Sequence, residues 1–407
     1  MLHTSKIKTG AFSKKDKALC RPIFWYIVLS CYCVFGRDLL GGLELPNILF
    51  LGIRFGVSAF LIVLAFRYLT FKRILLLFGL EFWFGISYLI TFVSERYYAE
   101  EFLTYCITTL VICIPFLVLV SLVDDYTCLY RYLYKSSYVN TALLLPYLFL
   151  TQGSIVYSMP ASYQLLFCTL IHINDFFQKN SKWKGLKCIL IVVEIAFIFV
   201  RGARGPLLCL AVFVILKLLT EFSSNKQALF FTIVGVIVCA VAFVHFDALL
   251  SGIGVLLNRF GLYSRTYEQF AADAILSDSG RNVLQSHAIE LIRENPLWGY
   301  GVSADMKLIG GQYTHNIFLE LVFDFGVIVG SVFFLVITAF VVETVFMQRG
   351  IEKELRMLFI PMGYVMLFVS GTYLQSIYLF ILLGIALHRH GRKRVQASWR
   401  KYQYGEE

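Results

Sequence analysis

Apolar residues along this chain come in long blocks separated by short polar stretches. Blocks with cores near 22–36, 47–66, 74–93, 102–123, 137–151, 155–173, 186–200, 206–219, 227–246, 315–346, 355–370 and 372–388 predict about twelve membrane-crossing helices. The fifth, seventh and eighth are short, and the tenth is long enough to tilt or to extend beyond the bilayer. Alternating strands of about ten residues, which would mark an outer-membrane barrel, are absent. The pattern predicts an all-α polytopic membrane protein forming one domain over residues 1–407. Basic residues near the start, followed by the apolar run from Pro22 with no small-residue cleavage site, predict a retained first span and no removed signal peptide.

The stretch 247–314 breaks the rhythm. At about 68 residues it is far longer than its neighbours, and segments of this length in compact proteins are usually functional. It carries amphipathic patterns of its own. Between Arg281 and Glu294, one helical face is expected to hold Val283, Leu284, Ala288, Leu291 and Ile292. Asp278 and Ser279 are candidate N-caps, and Asn295-Pro296 is a stop. A second such stretch, near 256–275, carries Arg259 and Arg265. Helices of this type lie on a membrane surface or cap a bundle.

Composition agrees with the pattern. Hydrophobic residues make up 58% of the 407 and charged residues only 15%, too apolar for a soluble domain. The formal charge of +10 would suggest nucleic acid in a soluble protein. Here it follows from loop asymmetry. With the N-terminus cytoplasmic, 26 of the 36 Lys and Arg fall on the cytoplasmic side and nine on the other, which predicts both termini inside and 247–314 outside. The ten cysteines lie mostly within apolar segments and read as small core hydrophobes.

Against this background a few polar residues stand out. Arg201 and Arg204 sit at an outer junction of two apolar runs, at a spacing that would put both on one helical face. Charge at such depth is costly, and guanidinium forks match phosphate oxygens. Snorkelling at the interface is the simpler alternative. Ser279-Gly280-Arg281 opens the loop helix, where a cation is unfavourable to the helix dipole. An anionic ligand or plain solvation would each account for it. Thr314-His315-Asn316 begins the tenth block. A neutral imidazole there can accept a proton from a hydroxyl. His172 and His245 read as structural, and His287 as packed beside the loop helix. Glu81, Glu194 and Glu320 are intramembrane carboxylates, expected to pair with polar neighbours rather than to form an ion path. Gly299 and Gly301 read as a turn, and Gly326 and Gly330 as a small-residue packing face. No Walker loop, zinc spacing or acidic metal pair occurs on the outer side, so the expected chemistry uses no metal and no cofactor.

In this order the motifs resemble a known family. An Arg-Gly pair at a span junction precedes a long loop with Ser279-Gly280-Arg281. Then come Asn295-Pro296-Leu297-Trp298-Gly299-Tyr300-Gly301, Thr314-His315-Asn316-Ile317-Phe318-Leu319-Glu320 and Asp324-Phe325-Gly326. Over roughly 195–330 this resembles the O-antigen ligase and Wzy-type polysaccharide polymerase superfamily of bacterial membranes. The family often has a hydroxyl residue before its Arg-Gly, where this chain has Ala203. Arg201 makes a second Arg-Gly three residues earlier, so either arginine can fill the family role; Arg204 is favoured, with Arg201 as partner. It implies a GT-C-like inverting glycosyltransferase of the bacterial plasma membrane, active on the extracytoplasmic face. The implied donor is an oligosaccharide on undecaprenyl pyrophosphate, and the acceptor a sugar hydroxyl on a glycan or lipid-linked glycan. Arg204, Arg201 and Arg281 would hold the pyrophosphate, His315 would activate the acceptor, and Asn316 and Glu320 would support it. Membrane lipids, a flippase and a chain-length regulator are the implied partners, with no nucleic acid. A polymerase is favoured over a ligase to lipid A-core. A transporter of the same lipids would predict internal repeats and charges near mid-membrane. No repeat is present, and the informative charges lie at the outer surface.

Overall fold

The computed structural model describes residues 12–40, 47–150, 159–177, 183–201, 204–221, 246–259, 261, 264–272, 280–347 and 350–388. Among these there are helices and turns and no strand. Among the described residues five helical segments are long and apolar enough to cross a membrane: Lys14–Val34, Leu49–Tyr68, Phe71–Val93, Glu101–Val120 and Ile317–Phe346. The expected block 227–246 lies almost wholly outside the described residues. The chain divides into two compact units, one of residues 1–26, 55–132 and 280–407, the other of 27–54 and 133–279.

In the first unit, helix α3 (Phe71–Val93) turns Leu77, Phe84, Tyr88 and Thr91 inward, a helical spacing. Phe78, Phe82, Leu89 and Val93 stay exposed. An apolar face of that size is what a lipid-facing helix presents. The segment Glu101–Val120 joins α4 (Ala99–Ile107) to α5 (Ile114–Val120) through a π-helical stretch, Thr108–Cys113, where Thr109 donates to Leu374 O at 2.9 Å.

The block expected at 315–346 is helical but not one straight helix. The structure breaks it at Gly326, whose φ of 79° and ψ of 167° lie where only glycine is comfortable. The part after the break, residues 327–346, is about 30 Å long and suffices for a bilayer. The part before it is about 13 Å long and does not. Breaking a helix frees backbone groups that must find partners away from water. The loop 296–301 supplies them. Tyr300 N donates to Phe323 O at 2.9 Å, Gly301 N to Asp324 O at 3.1 Å, and Val327 N to Pro296 O at 2.7 Å. Contact is backbone to backbone. A Cβ on Gly326 would stand 2.1 Å from Leu297 O, and one on Gly299 would stand 2.6 Å from Asp324 O. Gly330 lies equally tight against Leu321 and Val322 of the shorter part. These glycines therefore interlock a loop with a broken helix, a more specific role than a turn and a packing face. Ser87 and Thr91 of α3 fasten the same loop by hydrogen bonds of 3.0 and 2.9 Å to Val302 N and O.

The loop helix runs Arg281–Glu294 and ends at Asn295, as its sequence predicts. It packs Ala288 and Ile292, flanked by Leu284 and Leu291, onto Tyr300, Val322 and Phe323. Val283 does not join them and is exposed, because five residues before Ala288 amounts to a rotation of about 140° away from that face. The N-cap is Gly280, without a side-chain bond, and the expected caps Asp278 and Ser279 lie outside the described residues. His287 is exposed rather than packed, since it points away from the Ala288–Ile292 stripe.

In the second unit, helices Tyr126–Leu150 (in part), Met159–Phe176, Lys184–Arg201 and Arg204–Glu221 are joined by Phe246–Arg259 and Arg265–Ala271. Its centre is polar. His172 lies between Glu194, at 3.1 Å, and Ser137, at 3.3 Å, while Thr141 donates to Glu194 at 2.7 Å. All four side chains are buried. Glu194 thus pairs with polar neighbours, as its sequence reading expects.

Candidate active site

His315 sits at the entry to the short pre-break helix, in a left-handed conformation with φ of 53° that side chains other than glycine seldom adopt. Its neighbours hold it there. Asn316 caps the helix, its Oδ1 accepting from Phe318 N at 3.0 Å and Leu319 N at 3.4 Å. Thr314 is buried, its Oγ1 donating to Asn316 O at 3.1 Å, and Gln285 of the loop helix reaches Thr314 O at 3.4 Å. Tyr313 places its ring 4.2 Å from the imidazole, while its hydroxyl accepts from Gly371 N at 2.9 Å. Both sides of the Tyr313–Asn316 turn are therefore tied to other elements.

The imidazole Nδ1 is buried and has no hydrogen-bond partner. Burial pushes the His315 pKa down to about 4, and the positive charge of Arg281 lowers it further in the same sense. Arg281 occupies the first residue of the loop helix, with no acidic residue in that turn to offset it. It also acts electrostatically on Tyr313, whose hydroxyl burial pushes up. Near neutral pH the site therefore holds an uncharged imidazole within the field of a guanidinium.

The depressed value has a direct test. Diethyl pyrocarbonate attacks neutral imidazole, so site-resolved labelling of His315 should persist on acidification and fall by half only near pH 4. Arg281→Gln should move that midpoint upward, though not back to 6.5, because burial is the larger cause. A wild-type midpoint at 6.5 would contradict the reading.

Behind the turn lie three buried carboxyl groups. Glu320 accepts from Thr372 Oγ1, and Asp324 accepts from Tyr373 Oη at 2.5 Å. Asp305 accepts from Met306 N at 2.9 Å. Burial raises its pKa to about 6, against the opposing effect of the Met306 and Thr314 amides. One oxygen of each carboxyl has no hydrogen-bond partner. No group of acidic, His or Cys side chains among the described residues is arranged to hold a metal ion.

Of the expected site residues, the first unit brings together Arg281, His315, Asn316 and Glu320. Arg201 and Arg204 belong to the second unit. Arg201 is the last described residue of Lys184–Arg201 and Arg204 the first of Arg204–Glu221, and the expected shared helical face depends on residues 202 and 203, which lie outside the described residues. Sequence reasoning gave no role to Asp305, Tyr313, Thr372 or Tyr373. Asp305 opens the four-residue helix Asp305–Leu308 and Tyr313 lies in irregular chain, both too short to show a periodicity. Thr372 and Tyr373 come from some 50 residues away, as the separation of 52 between Thr372 and Glu320 illustrates.

Residues 188–335 match a family model described as O-Antigen ligase. The match contains both arginines of the helix junction, the loop helix, the interlocking loop and His315. It supports the O-antigen ligase and Wzy superfamily that the motifs resemble, and with it a membrane enzyme of polysaccharide biosynthesis. No curated relative matches the chain.

Proposed function

We propose, from the premise that residues 188–335 are an O-antigen ligase domain, that this protein is a polysaccharide polymerase working on polyprenyl-diphosphate-linked glycans. The observation that carries the reading is His315, an uncharged base with an unpartnered ring nitrogen, held in a strained conformation beside Arg281. In this reading the acceptor hydroxyl gives its proton to His315 as its oxygen attacks the anomeric carbon. The bond from that carbon to the diphosphate breaks, and the polyprenyl diphosphate leaves with the bonding pair. Attack opposite the leaving group inverts the anomeric centre. Arg204, Arg201 and Arg281 carry the growing negative charge of the leaving diphosphate, work that needs no metal. A pKa near 4 makes His315 a weak base in the free protein. Diphosphate on Arg281 offsets the smaller of the two causes that lower it, so donor binding strengthens the base in part, burial remaining the larger cause. Asn316 fixes the turn, and Glu320 anchors the helix behind it.

The charge asymmetry supports cytoplasmic termini and a site on the extracytoplasmic face of a bacterial plasma membrane. A flippase to deliver the donor and a chain-length regulator fit that placement. Transfer to lipid A-core by a ligase uses the same chemistry. Purified protein given lipid-linked repeat units should build chain-length ladders without lipid A-core; product only when that acceptor is added identifies the ligase. The diphosphate role has its own test. Arg204→Lys keeps charge but loses the two-pronged fork, and should lose most activity, while Arg392→Lys should not. Equal activity in the two variants would remove Arg204 from the diphosphate role.

A further inference from the structure

The polar centre of the second unit has no part in the chemistry proposed above, and its hydrogen bonds show where protons sit. Ser137 Oγ lies 2.8 Å from the Tyr134 carbonyl oxygen and 3.3 Å from His172 Nε2. A carbonyl oxygen can only accept, so the single hydroxyl proton of Ser137 goes to Tyr134. His172 Nε2 therefore donates to Ser137. An imidazole protonated on Nε2 alone has a bare Nδ1, yet Nδ1 faces both carboxyl oxygens of Glu194, at 3.0 and 3.1 Å. A bare nitrogen lone pair against a carboxylate repels, most of all away from water. The contact is a hydrogen bond only with one more proton in it, on Nδ1 or on Glu194. Thr141 donates its own hydroxyl proton to Glu194 at 2.7 Å and leaves that requirement unchanged. With the extra proton in either place the pair carries no net charge.

The pair is deep and is reached from one end. Both side chains are fully buried. Glu194 lies ten residues, about 15 Å, into the 18-residue helix Lys184–Arg201. Two turns earlier on that helix, Lys187 is bound to Asp175, which follows His172 by one turn on Met159–Phe176. Lys187 and Asp175 keep 10% and 11% of their side-chain surface exposed, enough to meet water. The Tyr138 ring lies 4.6 Å from the imidazole, and its hydroxyl feels both Asp175 and Glu194. The Cys168 thiol also feels Glu194. Arg204–Glu221, packed on Met159–Phe176 as well, adds the buried Cys209 and Lys217. Between Glu194 and Arg201 the helix carries only Ile, Ala, Phe and Val. As a plain bridge the pair would gain little over apolar packing, whereas ionisable groups at such depth mark proton sites.

We infer that the His172–Glu194 pair is a binding site for one exchangeable proton, filled and emptied by way of Asp175 and Lys187. The proton passes from water at the Lys187–Asp175 pair to Nδ1 or Glu194 and leaves by the same way, so the pair is a site and not a path across the unit. Glycosyl transfer has no bearing on this inference. The test uses purified full-length protein in nanodiscs near neutral pH. Nitrogen NMR of isotope-labelled histidine and the infrared carboxyl band locate the proton, with His172→Gln and Glu194→Gln assigning the signals. The expected result is a protonated Nδ1 or a protonated Glu194. A bare Nδ1 beside an ionised Glu194 overturns the inference. On transfer to heavy water the wild-type proton should exchange while the protein stays folded. Exchange only on unfolding marks a structural bridge and also overturns the inference, whether or not any variant folds. The double variant Asp175→Asn, Lys187→Gln keeps the charge balance. It should hold the same proton and exchange it at least tenfold more slowly, and exchange at the wild-type rate would overturn the route through Asp175 and Lys187.

Discussion

His315→Ala, purified and folded, is expected to transfer glycan roughly 10² to 10⁴ times more slowly than wild type, the usual contribution of a general base. The loss should fall on turnover. Donor binding should survive, because in the proposed mechanism the arginines and not the imidazole meet the diphosphate. Melting should also change little. The imidazole Nδ1 makes no hydrogen bond, and Asn316, not His315, caps the helix. Removing a side chain from a left-handed residue does not relieve the backbone, so the turn keeps its shape. The exposed His287 is the control, since it lies on the loop helix outside the turn. A His315→Ala enzyme near the wild-type rate, or a dead His287→Ala, removes His315 from the chemistry. Joint loss of binding and melting temperature would mark the residue as structural.

Gly326→Ala is expected to be the most damaging substitution for stability. The new methyl group would meet Leu297 O at 2.1 Å, and the backbone conformation would cost an alanine about 1–3 kcal/mol before any clash. The carbonyl cannot move aside cheaply, because its loop is held by the Tyr300, Gly301 and Val327 backbone bonds. Relief requires giving up some of those bonds inside an apolar environment, where unsatisfied backbone is expensive. A strong fall in folded yield and melting temperature in detergent should follow, with loss of activity although every proposed site residue is intact. Gly79→Ala on α3 meets nothing within 4 Å and should be silent or slightly stabilising. Equal melting of the two variants would refute the interlock.

What the sequence made legible here depended on periodicity and on motif order. The loop helix was readable because Leu284, Ala288, Leu291 and Ile292 recur at helical spacing, and its end because proline follows Asn295. The placing of Val283 failed because one position is a turn of about 100°, enough to move a side chain from core to solvent. The break at Gly326 was hidden because the residues on both sides are equally apolar, and hydropathy does not register φ. Asp324-Phe325-Gly326 and Leu297-Trp298-Gly299 looked like separate motifs, yet they are the two halves of one backbone contact. His315 was conspicuous as a polar residue opening an apolar run. Its surroundings were not, because Asp305, Thr372 and Tyr373 meet Thr314, Glu320 and Asp324 only through tertiary folding.

The central claim is that glycan leaves a polyprenyl diphosphate and joins a sugar hydroxyl on this chain alone. The most direct measurement is the number of polyprenyl diphosphates released per glycosidic linkage formed, by purified protein with lipid-linked repeat units in a metal chelator. The account predicts one release per linkage, unaffected by chelation and lost in His315→Ala. Movement of intact lipid-linked glycan across the bilayer with no diphosphate released, or transfer that stops when divalent metal is removed, would contradict it.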